Sequence, residues 1–134
     1  MDLAQRVRIK RVYEPPARGD GRRILVDRLW PRGLAKSRAE IDEWRKELAP
    51  STELRRFYGH RPERFGEFTR RYQAELRRPE ATAALADLAR AAARRPVTLL
   101  TASRDLAHSD AAVLQRRLRD RVRASSRRTV RQAG

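Results

Sequence analysis

Two short runs constrain this chain more than anything else in it. Ile24-Leu25-Val26 and Val97-Thr98-Leu99-Leu100-Thr101 are apolar and β-prone, without the strict alternation of a half-exposed strand. Continuous runs of this kind suit strands covered on both faces, the environment of a parallel sheet flanked by other elements. Arg6–Val12 reads as a further strand, with Val7 and Ile9 alternating against Arg6, Arg8 and Lys10. Pro15, Pro16, Gly19 and Gly21 make the stretch that follows it a loop.

Much of the remainder has helical spacing. Ser37-Arg38-Ala39-Glu40 has the form of a capping box, and Ile41, Trp44 and Leu48 follow at helical intervals. A helix is therefore expected to run to about Leu48 and to stop at Ala49-Pro50. A short helix over Thr52–Phe57 closes at Tyr58-Gly59-His60. Pro62 suits the first turn of the next, in which Phe65, Phe68, Tyr72 and Leu76 form one stripe. Ala84, Leu85, Leu88 and Ala92 stripe another helix after Pro79. A last one carries Val113 or Leu114, then Leu118 and Val122. These elements predict an α/β fold: a small parallel or mixed sheet of about three strands, packed with four to five helices in one domain over residues 1–122. Residues 123–134 are basic and aperiodic, and a disordered tail is expected there.

Composition removes several functions. The chain has no cysteine, so disulfides, a thiolate nucleophile and cysteine metal sites are out. Two histidines outside any ligand-spaced motif make no metal site expected. No phosphate-binding glycine loop, nucleophile elbow or dinucleotide fingerprint is present, and the cofactor stays unknown. Nothing approaches the roughly 18 apolar residues of a membrane span, and the N-terminus lacks a signal-peptide core, so a cytoplasmic protein without a membrane partner is expected. The net charge is +16. Only Lys10, Lys36 and Lys46 among the 33 basic residues are lysine. The arginine excess reads in two ways: as a footprint for nucleic acid, or as the codon bias of a GC-rich genome.

Both apolar strands end in polar clusters, Asp27-Arg28-Leu29-Trp30-Pro31-Arg32-Gly33 and Thr101 to Ser109. Ligands of open α/β sheets sit outside the carboxyl ends of the strands. If the two strands are parallel neighbours, the clusters meet in one crevice. Arg28, Arg32 and Arg104 beside Asp27 would then grip a phosphate or carboxylate through paired donors. Ser109, at the start of the last helix, adds an anion site at a helix N-terminus. Asp105 and His108 are the candidates for proton transfer near neutral pH, as in a hydrolase or transferase. Trp30, Tyr58 and His60 are further candidates for the lining. Each has a plainer role: Asp27 and Arg28 as an ion pair, Ser109 or Asp110 as a helix cap, His108 as an exposed loop residue, Trp30 as a core plug. A helix-turn-helix over Thr52–Leu76 is disfavoured, because Phe65, Phe68 and Tyr72 look buried. Three functions stay open: an anion-binding crevice, a nucleic-acid-binding accessory module, and an interaction domain without a pocket.

V-D-R-L-W-P-R-G (Val26–Gly33), I-D-E-W (Ile41–Trp44), L-A-P-S-T-E-L-R (Leu48–Arg55), Tyr58-Gly59-His60 and P-V-T-L-L (Pro96–Leu100) stand in order. Together they resemble the short, YeaO-like branch of the domain-of-unknown-function 488 family. The resemblance implies a small α/β protein with a parallel sheet and no particular reaction. Longer relatives carry a cysteine after the last strand and a Cys-His-Arg triplet soon after. The corresponding positions here are Thr101 and Ala107-His108-Ser109, so thiol chemistry is not carried over.

Overall fold

The structure, a computed structural model, describes residue 2 and residues 6–133, with side chains followed to residue 128. Four strands, β1 (Val7–Arg11), β2 (Arg22–Leu25), β3 (Glu43–Trp44) and β4 (Val97–Thr101), form a sheet in the order β1-β4-β2-β3. All three pairings are parallel. Among the described residues there are four α-helices: α1 (Thr52–Tyr58), α2 (Phe65–Glu75), α3 (Pro79–Arg94) and α4 (Asp110–Ala133). The fold is thus α/β with one strand more than expected.

The two faces of the sheet are covered differently. Val7, Ile24, Val97 and Leu99 point toward the helices and join Leu54, Phe68, Tyr72, Leu85, Leu88, Leu114 and Leu118 in the main core. Leu25 and Leu100 point the other way, where Val12, Trp30, Leu34, Ile41 and Trp44 from loops and the edge strand cover them. Alternation along each strand divides its residues between two apolar layers, which is why the runs read as continuous.

The helix expected over residues 37–48 does not form. Its place is taken by 3-10 turns at Lys36–Arg38 and Lys46–Leu48, with β3 between them. Glu40, which should close the capping box, has φ +46, outside the helical region. The apolar stripe is also split between layers. Ile41 and Trp44 pack on the loop-covered face, whereas Leu48 enters the helix-side core. An edge strand can divide them in this way, and the Arg45 amide joins it to the Leu25 carbonyl at 2.9 Å. The last helix, α4, runs through Arg123 to Ala133.

Helix ends follow local chemistry. The Ser51 hydroxyl accepts the Leu54 amide at 3.1 Å and donates to Glu75 at 2.5 Å, which caps α1 and ties it to the end of α2. Gly59, with φ +51, ends α1. Beyond β1 the chain crosses to β2 on the loop-covered face, and there Asp20 is only 2% exposed. Its carboxylate accepts from Lys10 at 2.9 Å, Arg23 at 2.7 Å and the Ala17 amide at 3.1 Å. Burial acts to raise its pKa, but the hydrogen bonds from Lys10, Ala17 and Arg23 and the Lys10 charge prevail and hold it below the usual carboxylate range. Gly21 next to it has φ +60, and a Cβ there would lie 2.0 Å from the Pro96 carbonyl oxygen. Only glycine fits that turn.

Candidate functional site

Because β2 and β4 are parallel neighbours, with Leu25 opposite Leu100, the loops that follow them leave the sheet side by side. Between them opens a cleft of about 1090 Å3, bounded also by α1 and by the start of α4. All the residues singled out from sequence line it: Asp27, Arg28, Trp30, Arg32, Tyr58, His60, Arg104, Asp105, His108 and Ser109.

Their roles within the wall differ. Asp27 and Arg28 do not pair with each other. Asp27 accepts the Thr101 hydroxyl and the Ala102 amide, both at 2.8 Å, and so clamps the end of β2 to the end of β4. The Arg28 Nε donates to the Pro50 carbonyl at 3.0 Å. The Ser109 hydroxyl donates to the Leu106 carbonyl at 2.7 Å and accepts the Ala112 amide at 3.2 Å. It is a helix cap, with its hydrogen atom already committed. Trp30 lines the cleft with one part of its ring but is chiefly a plug. Its Nε1 donates to Leu34, and its ring lies edge-on to Trp44 at 5.4 Å. His60 is exposed in a left-handed conformation, φ +56, its ring 6.3 Å from that of Tyr58.

His108 Nδ1 lies 2.7 Å from an Asp105 carboxylate oxygen. With Asp105 accepting that proton, Nε2 is the ring nitrogen left to exchange one. The Tyr58 hydroxyl donates to the His108 carbonyl at 2.6 Å, and the Phe65 ring stands edge-on to the imidazole at 5.2 Å. Burial, together with the charges of Asp105 and Glu63, raises the Tyr58 pKa, so this phenol remains a donor through neutral pH.

Sequence reading missed Asp110 as a site residue. It opens α4, lines the cleft and is hydrogen-bonded to Asp27. Burial first, then the charge and hydrogen bond of Asp27, push its pKa well above the usual carboxylate range. The Ala111 amide and Thr101 hydroxyl oppose the shift without cancelling it. Arg55 and Arg56 on α1 and Tyr13 after β1 were also missed, and all three line the cleft. The Asp110 signal, an acid directly after the capping serine, is ordinary at helix starts. The Arg55-Arg56 pair gains meaning only once α1 is oriented. Among the described residues no group of three or more His, Cys, Asp or Glu is placed to hold a metal ion. No helix among the described residues is long and apolar enough to cross a membrane.

Residues 6–133 match the family described as "Inactive DUF488-N3 subclade". The chain belongs to the DUF488 family. Rv3073c of Mycobacterium tuberculosis, described as an uncharacterized protein, is 50% identical over 116 residues, which cover 87% of this chain and 96% of that one. YeaO of Escherichia coli, described likewise, is 43% identical over 109 residues, covering 81% of this DUF488 chain and 92% of its relative. No solved structure matches.

Proposed function

We propose that the cleft binds a small anionic ligand, phosphorylated or carboxylated, and that binding rather than turnover is its main task. The observation that carries this reading is the state of five arginines. Arg28, Arg32, Arg55, Arg56 and Arg104 line one cleft, and none of them is ion-paired among the described residues. Guanidinium groups gathered without carboxylate partners supply forked donors matched to phosphate or carboxylate oxygens. Asp110 fits the same reading. Burial and the neighbouring Asp27 hold this carboxyl toward its neutral form, which lessens the negative charge that an anion in the cleft would meet. The word "Inactive" in the family description also favours binding over catalysis.

The test is a thermal-shift series with inorganic phosphate, nucleotides and small dicarboxylates on the wild-type chain, Arg28→Ala and Arg55→Gln. A ligand at 100 times its Kd raises stability by about 2.7 kcal/mol. A shift in the wild type that persists at physiological salt and disappears in both variants supports the reading. Shifts of equal size in all three proteins would remove it.

One observation favours a second reading, a hydrolase or transferase: the 2.7 Å His108–Asp105 contact at the mouth of the same cleft. In that case His108→Gln should retain the ligand-induced shift and lose turnover of an activated phosphoester such as p-nitrophenyl phosphate. A wild-type chain without turnover over pH 5–9 sinks it.

A further inference from the structure

A second concave surface lies away from the cleft. Helices α3 and α4 pack side by side and leave a groove of about 980 Å3 along their outer side. Arg90 and Arg94 line it from α3, and Arg116, Arg117, Arg121 and Arg128 from α4. Among the described residues the one acidic lining residue is Asp120. Arg90 lies 3.8 Å from Asp87, and Arg117 donates to the Gln73 side chain at 2.6 Å. Arg94, Arg116, Arg121 and Arg128 make no ion pair among the described residues.

We propose that this groove binds double-stranded nucleic acid through its phosphate backbone. The arrangement of the charges is the first argument. Arg117, Arg121 and Arg128 fall on one side of α4 at i, i+4 and i+11. At 1.5 Å per residue that row is about 16 Å long. It matches roughly five base-pair steps at 3.4 Å each, a regular series of phosphates. Arg90 and Arg94, one helical turn apart, face the same groove from α3.

The groove's uncharged lining decides among polyanions. The apolar part of its lining is alanine, including Ala89 and Ala93 of α3 and Ala124 of α4. An acidic helix from a partner protein would need larger apolar pockets or aromatic anchors to hold it, and alanine offers neither. Single-stranded nucleic acid is held by stacking bases on aromatic rings, and no aromatic residue among the described residues lines the groove. What remains is contact with phosphates on a duplex, independent of sequence.

The experiment is fluorescence anisotropy with a labelled 16-base-pair duplex at 50–200 mM salt, using the full chain. R94Q/R116Q/R121Q/R128Q removes four groove charges. R18Q/R38Q/R77Q/R78Q removes four charges from exposed arginines scattered elsewhere. Circular dichroism checks that each variant folds. Each phosphate contact contributes about −0.9 to the slope of log K against log salt. The groove variant is expected to lose at least about 100-fold in affinity at 100 mM salt and about 3–4 from the magnitude of that slope. The scattered variant should lose less than about fivefold. If the fourfold groove variant does not fold, the four single substitutions serve, each lowering the slope by about 0.9. Equal losses in the two fourfold variants would show that the charge acts diffusely and overturn the assignment. So would no duplex binding by the wild type, tighter binding of the single strand, or displacement of the duplex by an acidic helical peptide at equal concentration.

Discussion

Asp20 and Asp110 are carboxyls at two sheet-contacting sites, and their surroundings treat them oppositely. Asp20, where the chain crosses from β1 to β2, lies between Lys10 and Arg23 and is held in its charged form. Asp110, at the start of α4, faces another carboxyl, Asp27, and is held toward its protonated form. One acid is neutralised by cations and secures the fold. The other is pushed toward its protonated form by burial and then by a neighbour of the same charge, an arrangement that costs stability and is more common where a ligand is handled. The cleft and the crossover are therefore built by opposite electrostatic rules within one small sheet.

The largest effect should come from breaking the neutralised site. Asp20→Ala leaves Arg23, itself 4% exposed, with an uncompensated charge, and a loss of about 3–5 kcal/mol is expected in urea denaturation. Next comes Thr101→Val, which removes the hydroxyl that fixes Asp27; about 1–3 kcal/mol should be lost on the same measurement. Asp110→Asn should act the other way, with a gain on the order of 1 kcal/mol at neutral pH, because the amide replaces a carboxyl whose charged form is disfavoured by burial and by Asp27. Its size depends on pH. A raised folded-state pKa contributes stability that is full below the unfolded value near 3.8 and lost as pH rises through the folded value. Wild type and Asp110→Asn should therefore converge in acid and part toward neutrality. Asp20 runs in reverse: its contribution is present above 3.8 and lost as pH falls through its lowered folded value. Unfolding curves from pH 2 to 8 would separate the two slopes. The smallest effect belongs to Asp105→Asn, at the exposed Asp105–His108 pair, with less than about 0.5 kcal/mol of stability lost.

The sequence carries the position of the cleft because its signals are local. Apolar runs ending at Asp27 and at Thr101 mark two strand ends, and a parallel pairing brings their loops together. Asp110, Arg55 and Arg56 come from helices, and which side of a helix faces a strand end is set by packing far along the chain. β3 was hidden for a different reason. Glu43–Trp44 is too short to show a period of two, while Ile41, Trp44 and Leu48 imitate a period of 3.6. They do so by serving opposite sides of the sheet. The crossover acid Asp20 stood in a stretch of proline and glycine that reads as loop, and its burial follows only from where β1 and β2 separate.

That separation has a consequence for biosynthesis. The two early strands, β1 and β2, do not pair with each other; the strand that joins them, β4, spans Val97–Thr101. As the chain leaves the ribosome, β1 has no hydrogen-bonding neighbour in the sheet, and β2 has only the two-residue β3, until the last third emerges. The central strand arrives late and must enter a slot between two waiting edges. Long-range pairing of this kind is slow and leaves strand edges exposed meanwhile. Nascent chains of this protein that stall before residue 97 therefore present open β-edges to whatever lies nearby, and the length of that window is set by translation rather than by folding.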